Sequence, residues 1–108
     1  MATNTSTRIG TAKRTKDGFE GSLELLRYKG PIQAFKIPES EKKAENAPDY
    51  IVYSNGIEIG SIKSKRARTS GKDYLAMKIH HVEIVGNQDL YANLAQDSQN
   101  ADQFFLLA

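Results

Sequence analysis

Residues 49–62 read DYIVYSNGIEIGSI, and this stretch decides the fold class. Two runs rich in β-branched and aromatic residues, Tyr50–Tyr53 and Ile57–Ile62, flank Ser54-Asn55-Gly56. Such residues suit a pleated, half-buried surface. Asn-Gly is the preferred pair of a two-residue type I′ turn, because both central residues there take positive φ. The stretch reads as a tight antiparallel hairpin. In its second strand the apolar phase slips: Ile57 and Ile59 share one parity and Ile62 has the other. A β-bulge at the intervening Gly60 returns all three to one face.

Working downstream, KDYLAMKIHHVEIV (72–85) reads as the next strand. Leu75, Met77 and Ile79 share a face by alternation, and a bulge at His80-His81 would bring Val82 and Ile84 onto it. DLYANLA (89–95) and QFFLLA (103–108) give two further strands, separated by a polar loop. Upstream, RIGTAKRTKDGFEGSLELL (8–26) is strand, turn, strand about Asp17-Gly18. GPIQAFKI (30–37) is a short strand stopped by Pro38. PESEKKAENAP (38–48) reads as an exposed loop, since Pro48 forces Ala47 out of helical geometry. The sum is about eight short strands and no helix: an all-β chain, with a curved antiparallel sheet forming a small barrel or sandwich. The expected core is Ile9, Phe19, Leu23, Leu25, Phe35, Ile51, Ile57, Ile59, Leu75, Met77, Ile79 and Leu94.

A chain of 108 residues holds one core, so residues 9–108 are expected to form a single β domain after a flexible tail, residues 1–8. With 39% hydrophobic and 26% charged residues the composition is that of a globular protein. The absence of cysteine excludes disulfides, thiolate metal sites and cysteine nucleophiles. The N-terminal MATNTSTRIG lacks the apolar core of a signal peptide, and no apolar run approaches the ~20 residues of a membrane-spanning helix. The cytoplasm is the expected compartment, with no membrane partner.

Catalytic patterns are missing. Adjacent strand residues point to opposite faces, so without a bulge His80 and His81 cannot chelate one metal ion, and there is no other histidine and no His-x-x-Glu-type spacing. Asp49 and Asp73 sit before tyrosines at strand starts, where carboxylates bond nearby backbone N–H groups. There is no Gly-x-Ser-x-Gly elbow, and GTAKRTKDG (10–18) lacks the Gly-Lys-Ser/Thr ending of a phosphate loop. The expectation is a non-enzymatic protein with no catalytic residue, no metal and no cofactor.

Charge distribution says more. Residues 8–16 hold Arg8, Lys13, Arg14 and Lys16 without an acid, and residues 63–72 hold Lys63, Lys65, Arg66, Arg68 and Lys72 without an acid. A hairpin tip rich in Lys and Arg follows a phosphate backbone by releasing its counterions. Single-strand binders add aromatic rings on which bases stack; Tyr50 and Tyr53 precede the hairpin, and Tyr74 follows it. The candidate anion or nucleic-acid site is therefore Lys63, Lys65, Arg66, Arg68, Lys72, Tyr74 and Lys78. A charged loop also keeps a sheet edge soluble, so the cluster does not demand a ligand. The apolar ending Phe104, Phe105, Leu106 and Leu107 either completes the sheet or forms an interface with a second subunit.

Three stretches together carry a family resemblance: TKDGFEGSLELL (15–26), NAPDYIVYSNGIEIGS (46–61) and GKDYLAMKI…LYANLAQ (71–96). They resemble the uncharacterised bacterial family labelled domain of unknown function 736, small proteins common on proteobacterial plasmids and integrative elements. The chain departs from that pattern at SIKSK (61–65), where such proteins often carry a Trp, at HHVEI (80–84), and at the ending FFLLA (104–108). The resemblance implies a setting, an accessory protein of mobile DNA, and no activity. The leading expectation is an oligomeric binding protein whose basic hairpin grips single-stranded DNA or another anionic partner. Its rival is a protein-interaction or self-assembly module acting on host or plasmid proteins.

Overall fold

The Asn-Gly turn forms as its residues require: Asn55 has φ 53° and Gly56 φ 81°, and Ser54 pairs directly with Ile57 across it. The computed structural model describes residues 7–38 and 47–108. Its strands are β1 (Arg8–Arg14), β2 (Gly18–Glu24), β3 (Lys29–Lys36), β4 (Tyr50–Ser54), β5 (Ile57–Arg66), β6 (Asp73–Ile79), β7 (Leu90–Asp97) and β8 (Asn100–Leu107). A short helix, α1 (Val82–Val85), lies between β6 and β7. Each strand pairs antiparallel with the next, and β1 also pairs with β8, closing an eight-stranded barrel. Thr7 and Ala108 exchange backbone hydrogen bonds of 3.0 and 2.9 Å beyond the last registered pair. Thr7 and Arg8, expected in the tail, are thus paired with the end of the chain; residues 1–6 of that tail lie outside the described residues. Most of the loop expected at 38–48 does too.

Closure disposes of both sheet edges. Eight strands enclose an interior just wide enough for side chains to fill it, here with Leu23, Val52, Ile62, Met77, Ile79 and Leu106 all fully buried. Small residues share that interior: Ala12, Ala34 and Ala92 face inward among the large ones, as a tapering barrel needs. The bulge expected at Gly60 is present. Val52 pairs with Gly60 and Tyr53 with Glu58, leaving Ile59 unpaired between them, so Ile59 and Ile62 are both buried.

Four expectations are corrected. Phe35 and Ile57 are not core; they are 48% and 52% exposed. Ala34 stands opposite Phe19 inside the barrel, so by alternation Phe35 takes the outer face. Ile51 likewise points outward, because β4 turns Tyr50, Val52 and Ser54 inward, with Val52 and Ser54 fully enclosed. Leu25 and Leu75 pack against the core from partly buried positions. Finally, the strand does not continue past His80-His81, whose N–H groups both donate to the Ile59 carbonyl, at 2.9 and 3.3 Å. β6 ends at Ile79, and one helical turn delivers Ile84 to the core instead. His81 caps that turn, Nδ1 accepting from the Glu83 N–H at 3.1 Å.

Candidate functional site

The basic loop is the connection between β5 and β6. Arg66 and Asp73 are the last registered pair. Beyond them Ala67 N–H donates to the Lys72 carbonyl and Gly71 N–H to the Ala67 carbonyl, each at 2.9 Å. The tip turns at Gly71, φ 70°. Residues directly opposed in an antiparallel ladder share a face. Since Ile62 and Met77 are buried opposite one another, the pairs Lys63–Ala76 and Lys65–Tyr74 on one side and Ser61–Lys78 on the other face outward. Across the next ladder Lys78 stands opposite Tyr91, and Ala76 opposite Asn93.

The outer face of β5–β6–β7 thus gathers Lys63, Lys65 and Lys78 with Tyr74, Tyr91 and Asn93. Tyr74 is 37% and Tyr91 63% exposed. A groove of about 270 Å³ runs here, walled by Lys63, Lys65, Lys78, Tyr91 and Pro48. A second, of about 590 Å³, follows the hairpin between Arg68, Lys72, Tyr74 and Asn93.

Of the seven residues expected from sequence, Lys63, Lys65, Tyr74 and Lys78 share the outer face, and Arg68 and Lys72 lie on the adjoining hairpin. Arg66, opposite Asp73, instead has the parity of the buried Ile62–Met77 pair. They are not equally free. Arg66 Nε lies 3.4 Å from Asp73 Oδ1, both well exposed, and Lys78 Nζ lies 3.5 Å from Asp89 Oδ2. Lys63 Nζ donates to the Ala47 carbonyl at 3.0 Å. Lys65, Arg68 and Lys72 extend into solvent without an acidic partner among the described residues. Tyr74 stands against Lys65. Asp49 has the backbone role anticipated for it, Oδ2 accepting from the Ser64 N–H at 2.8 Å.

The other two tyrosines near the hairpin leave the site. Tyr50 packs edge-on to Phe19 inside the barrel, centroids 5.3 Å apart. Tyr53 faces outward beside Phe35, at 6.0 Å, away from the hairpin. Tyr91 was not anticipated. The alternation of Leu90, Ala92 and Leu94 would have found it, since an inward face of those residues turns Tyr91 and Asn93 outward. At the C-terminus Phe104 and Leu106 are buried in the core and unavailable to a second subunit. Phe105 and Leu107 are half-buried on the outside, with the Arg8 guanidinium 5.6 Å over the Phe105 ring.

The fold and this surface define the chain as a closed eight-stranded antiparallel barrel that carries a lysine–tyrosine face beside a basic hairpin. It belongs to the family described as "Protein of unknown function (DUF736)", matched over residues 8–107. No curated protein matches the chain, and no solved structure does.

Proposed function

We propose that the protein binds single-stranded nucleic acid, DNA in particular, across the outer face of β5–β6–β7. One observation carries the reading: each of two exposed tyrosines stands directly opposite a lysine in the sheet, Tyr74 against Lys65 and Tyr91 against Lys78. Base stacking on an aromatic ring contributes roughly 1–3 kcal/mol per base, and an adjacent ammonium neutralises the phosphate beside the stacked base. Four residues along the strands and one ladder across set the two tyrosines roughly 14 Å apart. Arg68 and Lys72 continue the cationic track onto the hairpin. In our reading the binding serves an accessory protein of a mobile genetic element that performs no catalysis itself, the setting that the family resemblance implies.

The test is fluorescence anisotropy of labelled dT20 over a salt series. Reversing charge at Lys65, Arg68 and Lys72 together should weaken binding and lower the slope of log affinity against log salt by about 0.7 for each phosphate no longer neutralised. An absence of binding to any single strand near 50 mM salt overturns the reading.

A second reading has its own observation. Phe35, Ile51 and Tyr53 lie on the outer face of β3 and β4, with Phe35 about half exposed. Such a patch suits a second copy of the chain or another protein. Phe35→Ser combined with Tyr53→Ser should then reduce the oligomeric mass seen by light scattering, leaving nucleic-acid affinity unchanged. A wild-type protein that is monomeric at high concentration removes self-assembly from consideration.

A further inference from the structure

The end of the barrel opposite the basic hairpin opens as a cleft of about 920 Å³. It lies between the start of β1, the β2–β3 turn, and α1 with the segment leading into β7. Its floor is apolar: Ile9 and Ile84 belong to the buried core, and Leu25, Val85 and Leu90 pack against that core from the side. Leu26 stands fully exposed on the lip. Eight-stranded barrels hold small ligands at such mouths, and a volume of this order is that of ligand sites in general.

The polar lining has a definite sign. Arg8 and Arg27 both border the cleft; the Arg8 guanidinium lies over Phe105 on the outside, and neither arginine has an acidic partner among the described residues. Arg27 reaches across to Gly86, its Nη1 lying 3.2 Å from where a Cβ on that glycine would stand; a side chain there would crowd the guanidinium. Of the two bordering acids, Asp89 is held by Lys78 at 3.5 Å. Glu24 stands opposite Lys29 in the β2–β3 ladder. With Asp89 engaged and Glu24 exposed on β2, Arg27 is the cation that reaches over the apolar floor.

We infer that this mouth binds an amphipathic anion, with an unbranched apolar chain laid over Ile84, Val85 and Leu90 and its carboxylate on Arg27. A guanidinium takes a carboxylate through two parallel hydrogen bonds, and the floor takes methylenes out of water. A neutral chain would cover Arg27 without pairing it, and a cationic one would be repelled by it. The site lies at the barrel end opposite the basic hairpin. It borders the lysine–tyrosine face through the Asp89–Lys78 pair, but its apolar floor and Arg27 are no part of that face, and it stands or falls separately from it.

The probe is sodium decanoate, titrated below its micellar range into the full chain and followed by methyl NMR. Saturable shifts are expected at Leu25, Leu26, Ile84, Val85 and Leu90, with the Met77 methyl unmoved. Affinity should climb from octanoate to decanoate by up to about fourfold per methylene. Decanoate should bind more tightly than decanol, and Arg27→Gln should erase that advantage. Leu26→Asp, on the exposed lip, should weaken decanoate further. Both substituted positions are exposed, so unchanged thermal melting verifies that the barrel is intact. Absence of saturable shifts, shifts confined to the lysine–tyrosine face, or an Arg27→Gln variant that binds decanoate as tightly as the wild type would each overturn the proposal.

Discussion

Tyr91 and Tyr50 show how little a residue's type says about its use. Both are tyrosines on strands, yet Tyr91 projects into solvent opposite Lys78 and Tyr50 wedges against Phe19. Tyr91→Ala should therefore weaken single-strand binding by about 1–3 kcal/mol while leaving the melting temperature unchanged, as anisotropy and calorimetry can check together. Tyr50→Ala should do the reverse, costing stability as the edge-to-face pair and its buried area disappear. Gly60 presents a different kind of constraint. A Cβ there would stand 2.0 Å from the Lys78 carbonyl oxygen, which is backbone and cannot swing aside. Gly60→Val should lower stability by about 1–3 kcal/mol or more, read as a lower denaturant midpoint at constant slope.

At the scale of elements, the hairpin β4–β5 was legible because its signal is local: Asn-Gly takes positive φ wherever it stands, and Gly60 marks the slip in phase. α1 was not legible. HHVEIV (80–85) is β-rich in type, and only the need to bring Ile84 to the core while turning toward β7 winds it into a helical turn. Ile84→Ala should accordingly cost about 2–5 kcal/mol by thermal or chemical unfolding. His81→Ala should cost roughly 0.5–1.5 kcal/mol by removing the acceptor of the Glu83 N–H. His81→Asp should retain most of that, since a carboxylate caps the same N–H. The strand YIVYS (50–54) was ambiguous for another reason. Apolar residues occupy both of its faces, so alternation could not choose between Ile51 and Val52, and the ladder to Ala34 on β3 chose.

For the whole molecule, closure is the governing fact. β8 seals the barrel by pairing with both β1 and β7, and its Phe104 and Leu106 are core residues. Removal of residues 100–108 should thus yield insoluble protein with two raw edges, seen by sedimentation, rather than a folded monomer freed from an interface. Closure also decides between the two readings of the C-terminal segment. An apolar C-terminal segment completes a sheet as readily as it docks a partner, and the two differ only in whether β1 is within reach.

The sequence by itself determined that the chain is all-β, where its tight turns fall, that its cations gather in two short segments, and which family it resembles. These properties are local, or depend on composition alone. Tertiary structure decided which tyrosines face solvent, that Phe35 lies outside and Ala34 inside, and that a cleft bordered by Arg8 and Arg27 opens at the far mouth. Those outcomes rest on strand register and on the limited space inside eight strands. Both are set by pairings between residues distant in the chain, which no local pattern encodes.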